Sequence, residues 1–173
     1  MEFNPLCECF SENVLFDDLK DDWQLICRQF GVPLAFDAAD FSTNRHVRAY
    51  WTNNMPLPPH GVLTEGFGPI DPNVFMDEHR TVGPYTVDGK VMIRTIGASW
   101  QGDPYNPVAA TSVPVIVHDS QSPGPKHLRA HEAEMLLGYQ ANSTAGRGVT
   151  PRDRLIALGD SWDFRVALML NRY

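Results

Sequence analysis

The strongest constraint on the fold lies in residues 16–30. Phe16, Leu19, Trp23, Ile26, Cys27 and Phe30 recur at spacings of three and four, which lines them up along one stripe of a helix. Asp17 and Asp18 stand near its positive end, where carboxylates are favoured. Gly31 is placed to end it. On one side, residues 5–11 alternate, with Cys7, Cys9 and Ser11 against Leu6, Glu8 and Phe10, and read as a short strand. On the other side, Val32–Asp37 reads as a second strand. The chain therefore opens as strand–helix–strand, an α/β start. A sheet beginning this way carries a bare edge, which proteins usually cover. The chain reads as one side of a larger α/β body, and self-association or binding of a partner is expected.

Arg48–Thr52 is a further strand, joined to the second by Ala38–Val47. Residues 54–90 are rich in Pro and Gly with little periodicity, and read as an irregular insert. Val91–Ile96 and Val113–Val117 are strand candidates, and Ser120–Pro125 reads as a break. Leu128–Leu137 reads as a helix ended by Gly138, and Pro151 is suited to the first turn of a helix through Leu158. Ser161–Asn171 is a last helix or helix–strand element. The order is an α/β start over 1–53, an insert over 54–125, then helices over 126–173.

With 173 residues and 43% hydrophobic residues, the chain can bury a core and is not a disordered segment. No apolar run approaches the roughly 18 residues of a membrane span, so no membrane partner is expected. Residues 1–10 lack the basic start and apolar block of a signal peptide. An odd set of three cysteines (Cys7, Cys9 and Cys27) argues against a disulfide framework. A reducing compartment, cytoplasmic or nuclear, is the expectation. The net charge of −7 is uneven: residues 1–44 hold nine acids against two bases, and residues 126–173 five acids against seven bases. The acidic total speaks against a free-standing nucleic-acid binder, though not against part of one.

Four stretches, in order, carry a resemblance. ENVLFDDLKDDWQLICRQFGVPLAFDAADFSTNRHVRAYWTN, beginning at Glu12, resembles the cytosine-5 DNA methyltransferases. In that family Glu-Asn-Val ends a strand, a helix follows, and a hairpin closes on Arg-x-Arg, an aromatic and Asn. Ser42, Arg48, Tyr50, Trp51 and Asn53 look most like the animal de novo branch. Arg94-Thr95-Ile96 resembles the entry to that branch's target-recognition region. HLRAHEAEMLLGY resembles the helix supporting the recognition domain, and RLIALGDSWDFRVALML the closing motif, Gly-x-Ser followed by an aromatic. The resemblance implies an α/β fold: a partial Rossmann-like methyltransferase sheet of late strands and a β-hairpin, an irregular target-recognition region and C-terminal helices. The family's Phe-x-Gly-x-Gly cofactor loop and Pro-Cys nucleophile do not occur in the sequence. The chain is expected to start just before the Glu-Asn-Val strand and to run to the family's C-terminus.

The family's chemistry explains the residue types. A cysteine thiolate adds to carbon 6 of an extruded cytosine, and carbon 5 then takes the methyl group of S-adenosylmethionine. A carboxylic acid with a raised pKa eases the addition by hydrogen-bonding the ring nitrogen, and a cation steadies charge at the carbonyl oxygen. By resemblance Glu12 is that acid and Arg48 that cation. The pattern departs at Arg45-His46-Val47-Arg48, where the first arginine is displaced by one residue. Ser161 and Trp162 would line the cleft for S-adenosylmethionine, and Arg45, Arg94, Arg147 and Arg152 (with Trp100) would face DNA.

Plainer roles compete. Glu12 by itself suits a helix start, Cys7 a small buried hydrophobe, and Ser161 and Trp162 helix packing. His127 and His131 have a metal-ligand spacing with Glu132 beside them, but no third ligand, and an exposed helix face is the better reading. The expected protein is a part or subunit of a DNA (cytosine-5)-methyltransferase, inactive alone. Its partners would be DNA and a second chain supplying the missing N-terminal half, or a second copy of itself. The alternative is a non-catalytic, methyltransferase-like regulatory or DNA-binding module.

Overall fold

A computed structural model describes residues 10–13, 20–52, 68–83, 85–87, 90–93, 96 and 115–172. The elements are β1 (Phe10–Asn13), α1 (Lys20–Phe30), β2 (Leu34–Asp37), β3 (Val47–Thr52), β4 (Arg80–Val82), β5 (Tyr85–Val87), β6 (Lys90–Met92), β7 (Val117–Asp119), β8 (Ser122–Lys126), α2 (Ala130–Leu136), α3 (Pro151–Gly159) and α4 (Phe164–Leu170).

The first sheet has the order β1-β3-β2, antiparallel throughout. β3 is central, as its aromatic and β-branched residues favour. Its two faces are covered by different helices. Trp51 meets Trp23 of α1, ring centroids 5.7 Å apart, and its indole N–H donates to Gly31 O at 2.9 Å. Gly31 closes α1 at φ +84, the left-handed conformation that glycine adopts without strain. On the opposite face Tyr50 stacks on Phe36 at 4.6 Å, and both join Phe41, Val166, Met169 and Leu170 in one buried cluster, so α4 covers this side.

A second sheet has the order β4-β7-β8, and β5 pairs with β6 as a hairpin. A single core joins Val82, Ile93 and Val117 to Leu128, Ala133, Leu136 and Leu158. Ile93 also exchanges backbone hydrogen bonds with the β2–β3 connection, through Thr43 O and Arg45 N, each at 3.0 Å. Two buried ion pairs lock the C-terminal helices. Arg80 grips Glu132 with two bonds of 2.6 and 2.9 Å, and both residues are buried. Arg154 reaches Glu134 at 2.8 Å, and the same carboxylate takes the N–H of Asn142 and both N–H and hydroxyl of Thr144. Burial pushes Glu134 up, but the bonds from Thr144 and Arg154 outweigh it and hold the carboxyl below its usual range.

Several expectations need correction. The first described strand runs to Asn13 and contains Glu12, rather than stopping at Ser11; its stretch before Phe10 lies outside the described residues, as do Asp17 and Asp18. The insert is less irregular than its Pro and Gly content suggests: its described part carries β4, β5 and β6. Among the described residues of Val113–Val117 only Val117 is in a strand, which runs on to Asp119, and among those of Val91–Ile96 Val91 and Met92 belong to a strand, with Ile93 bridging to Asn44. Ser120–Pro125 is not a break, because Ser122–Lys126 forms β8. Its prolines mislead the eye; β8 is an edge strand, where a missing N–H costs no ladder bond. The α2 face expected to be exposed is engaged: Glu132 is fully buried, and His131 Nε2 lies 2.8 Å from Asp77 Oδ1.

Candidate functional site

Antiparallel register sets the site. Glu12 of β1 is opposite Tyr50, and Arg48 stands two residues from Tyr50 along β3, so all three side chains share the α4 face. Arg48 Nε contacts Glu12 Oε1 at 2.8 Å, with 22% of the arginine side chain and 11% of the glutamate side chain accessible. The structure thus brings together the two residues that the motifs single out, 36 positions apart in sequence. A helix-start role for Glu12 is ruled out by its place inside a strand.

Burial raises the Glu12 carboxyl above its ordinary range, while the charge and hydrogen bond of Arg48 pull the other way. The net shift is upward. Tyr50, buried against Phe36, is pushed up by the same desolvation, followed by the nearby Glu12 charge. An apolar floor therefore lies under an acid–cation pair. Such a pair can donate a hydrogen bond from the acid and present a fixed positive charge beside it.

The closing segment reaches this face from the other end of the chain. Trp162 is edge-on to Tyr50 with ring centroids 6.5 Å apart, and its carbonyl accepts from Tyr139 Oη at 2.9 Å. Ser161 donates its hydroxyl to Leu158 O at 2.8 Å, which ties it to the end of α3. Asp163 caps α4, accepting from Arg165 N at 2.9 Å, and receives the Ser42 hydroxyl at 2.5 Å. Burial raises the Asp163 carboxyl, against the lowering hydrogen bond of Ser42. Ser42 thus fixes the hairpin to the start of α4. A serine and an aspartate 121 positions apart gave no sequence signal.

The other candidates are dispersed. Arg45 precedes β3 and pairs with Asp37 at 3.3 Å, half its side chain accessible. Arg147 and Arg152 are exposed, one in the connection before α3 and one in its first turn. Arg94, Trp100, Cys7 and Asn53 lie outside the described residues. The sequence does contain Gly-x-Gly at Gly66-Phe67-Gly68 and Gly146-Arg147-Gly148, but neither has a phenylalanine two residues before it. Gly146-Arg147-Gly148 lies in a turn between helices, with no strand leading into it. Cys27 sits on α1, the helix on the other side of the sheet from the Glu12–Arg48 pair.

No protein-family model and no curated protein matches the sequence. Among solved structures the chain is similar to the S. pombe Dnmt2 methyltransferase, with a TM-score of 0.64 and 12% identity over 95% of this chain and 63% of that one. At that identity the likeness establishes the fold: a mixed α/β chain that matches part of a cytosine-5 methyltransferase-like fold. The chain spans less than two thirds of the length of that protein.

Proposed function

We propose that this chain is a part or subunit of a DNA (cytosine-5)-methyltransferase, contributing the acid–cation pair that holds the cytosine ring. The observation that carries the reading is the Glu12–Arg48 contact of 2.8 Å on a sheet face packed with aromatic rings. A carboxyl whose proton affinity is raised by burial suits a hydrogen bond to the ring nitrogen, and the guanidinium suits the neighbouring carbonyl oxygen. S-adenosylmethionine, when bound, supplies the methyl group. The residues of this chain fit it as one wall: Trp162 offers a half-buried aromatic surface, and Ser161, its proton already given to Leu158 O, offers an acceptor oxygen. Arg147 and Arg152 are exposed and suit phosphate contacts.

No Pro-Cys pair occurs in these 173 residues, so in this reading the thiolate comes from outside them. That same feature favours the second reading, a non-catalytic methyltransferase-like module docking on an active partner. Binding separates them. An oligodeoxynucleotide with an unpaired cytosine should bind the wild-type chain at least about 10-fold more tightly than E12A or R48M, the worth of one charge-assisted hydrogen bond. Equal affinities would remove the pocket reading. Methyl transfer to DNA by the purified 173-residue chain is expected to be absent, and turnover by it would contradict the need for a thiolate from outside these residues.

A further inference from the structure

α1 keeps an outer face that the described residues do not cover. Trp23, Ile26 and Cys27 are half-buried, and Trp23 meets Trp51 of β3. Leu25 lies on the other side of the helix and is 57% accessible. Phe30 and Val32 follow at 64% and 93%. Three of the eight large hydrophobic side chains exposed among the described residues thus fall within residues 25–32, which makes a patch and not a scatter. The charges around Leu25 follow the helix repeat. Asp21 and Arg28 are seven residues apart, about two turns, so they line one flank of Leu25. Asp22 and Gln29 have the same spacing and line the other flank. All four are exposed, and among the described residues no ion pair engages Asp21, Asp22 or Arg28.

We infer that this face docks on its equivalent in a second copy of the chain, as an antiparallel helix pair with Leu25 near the twofold axis. Antiparallel packing sets positions before Leu25 level with positions after it on the other helix. Asp21 then stands on the same flank as the partner's Arg28, within about 1.5 Å of its level along the axis, the rise of one residue. Asp22 meets the partner's Gln29 on the opposite flank in the same way. The twofold axis repeats both contacts, so the face is complementary to itself and the contact closes at two chains. Parallel packing would set Asp21 on Asp21 and Arg28 on Arg28, like charge on like. Leu25 meets the partner's Leu25 at the centre, which removes from water the side chain that the fold leaves out. The inference does not rest on the proposed function. α1 and the Glu12–Arg48 pair lie on opposite faces of the first sheet, so the dimer leaves both pairs open.

Sedimentation equilibrium of the full chain tests this by charge exchange. The contact is small, so the wild-type chain should pass from monomer to dimer in the micromolar range. D21R and R28D each turn both symmetry-related pairs into repulsions, and each should raise the dissociation constant at least about 10-fold. An equimolar mixture of D21R and R28D should dimerise about as well as wild type, because one chain then offers two arginines and the other two aspartates. Both positions are exposed, so each variant should keep the wild-type circular dichroism spectrum, which excludes misfolding as the cause of a loss. A wild-type chain that is monomeric at about 200 µM would overturn the inference. So would a dimer that D21R and R28D leave intact, or one that they break and the mixture does not restore. Growth beyond two chains would also overturn it, since this contact closes on itself. None of these outcomes bears on oligonucleotide binding by Glu12 and Arg48, which is measured separately.

Discussion

Replacing Arg80 by methionine tests whether the buried ion pairs hold the second sheet to the C-terminal helices. Arg80 and Glu132 have side-chain accessibilities of 5% and 0%, and their Nε–Oε1 separation is 2.6 Å. The guanidinium also donates to His127 O at 2.7 Å. R80M would leave a fully buried carboxylate with the N–H of Arg129 at 2.7 Å and the N–H of Asp77 at 3.4 Å. Breaking one side of such a pair costs about 3–5 kcal/mol, because the remaining charge can neither hydrate nor pair. For a chain of this size each kcal/mol moves the melting temperature by about 2–4 °C, so the drop should be about 6–20 °C. Removing both charges is different. R80M/E132M deletes the desolvated carboxylate together with its partner and leaves three backbone groups (His127 O, which R80M alone also releases, and the N–H groups of Arg129 and Asp77) to find water, at up to about 1 kcal/mol each. The double variant should therefore be more stable than R80M, with a coupling of about 2–3 kcal/mol. Thermal unfolding followed by far-ultraviolet circular dichroism measures all four corners of the cycle. A fall of less than about 3 °C for R80M, or additive effects in the double variant, would refute the reasoning.

Other expectations follow from single contacts. R48M should drive the Glu12 carboxyl further up, since Arg48 is what opposes burial there; carboxyl titration by carbon-13 NMR should find the midpoint higher than in the wild type. G138A places a Cβ 2.9 Å from Arg165 Cγ in a residue held at φ +86, and should cost at least about 1–2 kcal/mol in urea denaturation, whereas G124A, with φ +86 but open space, should cost no more than the backbone share of this. Asp163 has a raised carboxyl pKa, so its stabilising effect is full below the ordinary aspartate range, near about 3.9, and declines as pH rises through its folded value. D163N should remove that decline, and a urea midpoint falling with pH as steeply as in the wild type would count against it.

Much of the first sheet was legible because its signals are local. The helix stripe through Trp23 and Cys27, Gly31 as a stop, and alternation along Arg48–Thr52 each depend on neighbours within a few residues. The misses share a cause as well. Pro123 and Pro125 read as a break because nothing local says that their strand would lie at a sheet edge. The α2 helix lies inside the expected Leu128–Leu137 but is shorter, and the face of His131 and Glu132 read as solvent-facing, since their partners Asp77 and Arg80 are distant in sequence. Glu12 illustrates the division within the site. Its type and its motif could be read directly, while its proton affinity depends on an arginine on another strand and on burial by packed rings.

By itself the sequence determined the α/β opening and the stretches that hold the C-terminal helices, and its motifs singled out Glu12 and Arg48, because periodicity, helix stops and an ordered set of motifs are written in consecutive residues. Only the tertiary structure decided that β3 lies between β1 and β2 and that Ser42 ties the hairpin to α4. Those facts depend on strand register and on contacts more than 100 residues apart, where no local preference of the chain can act.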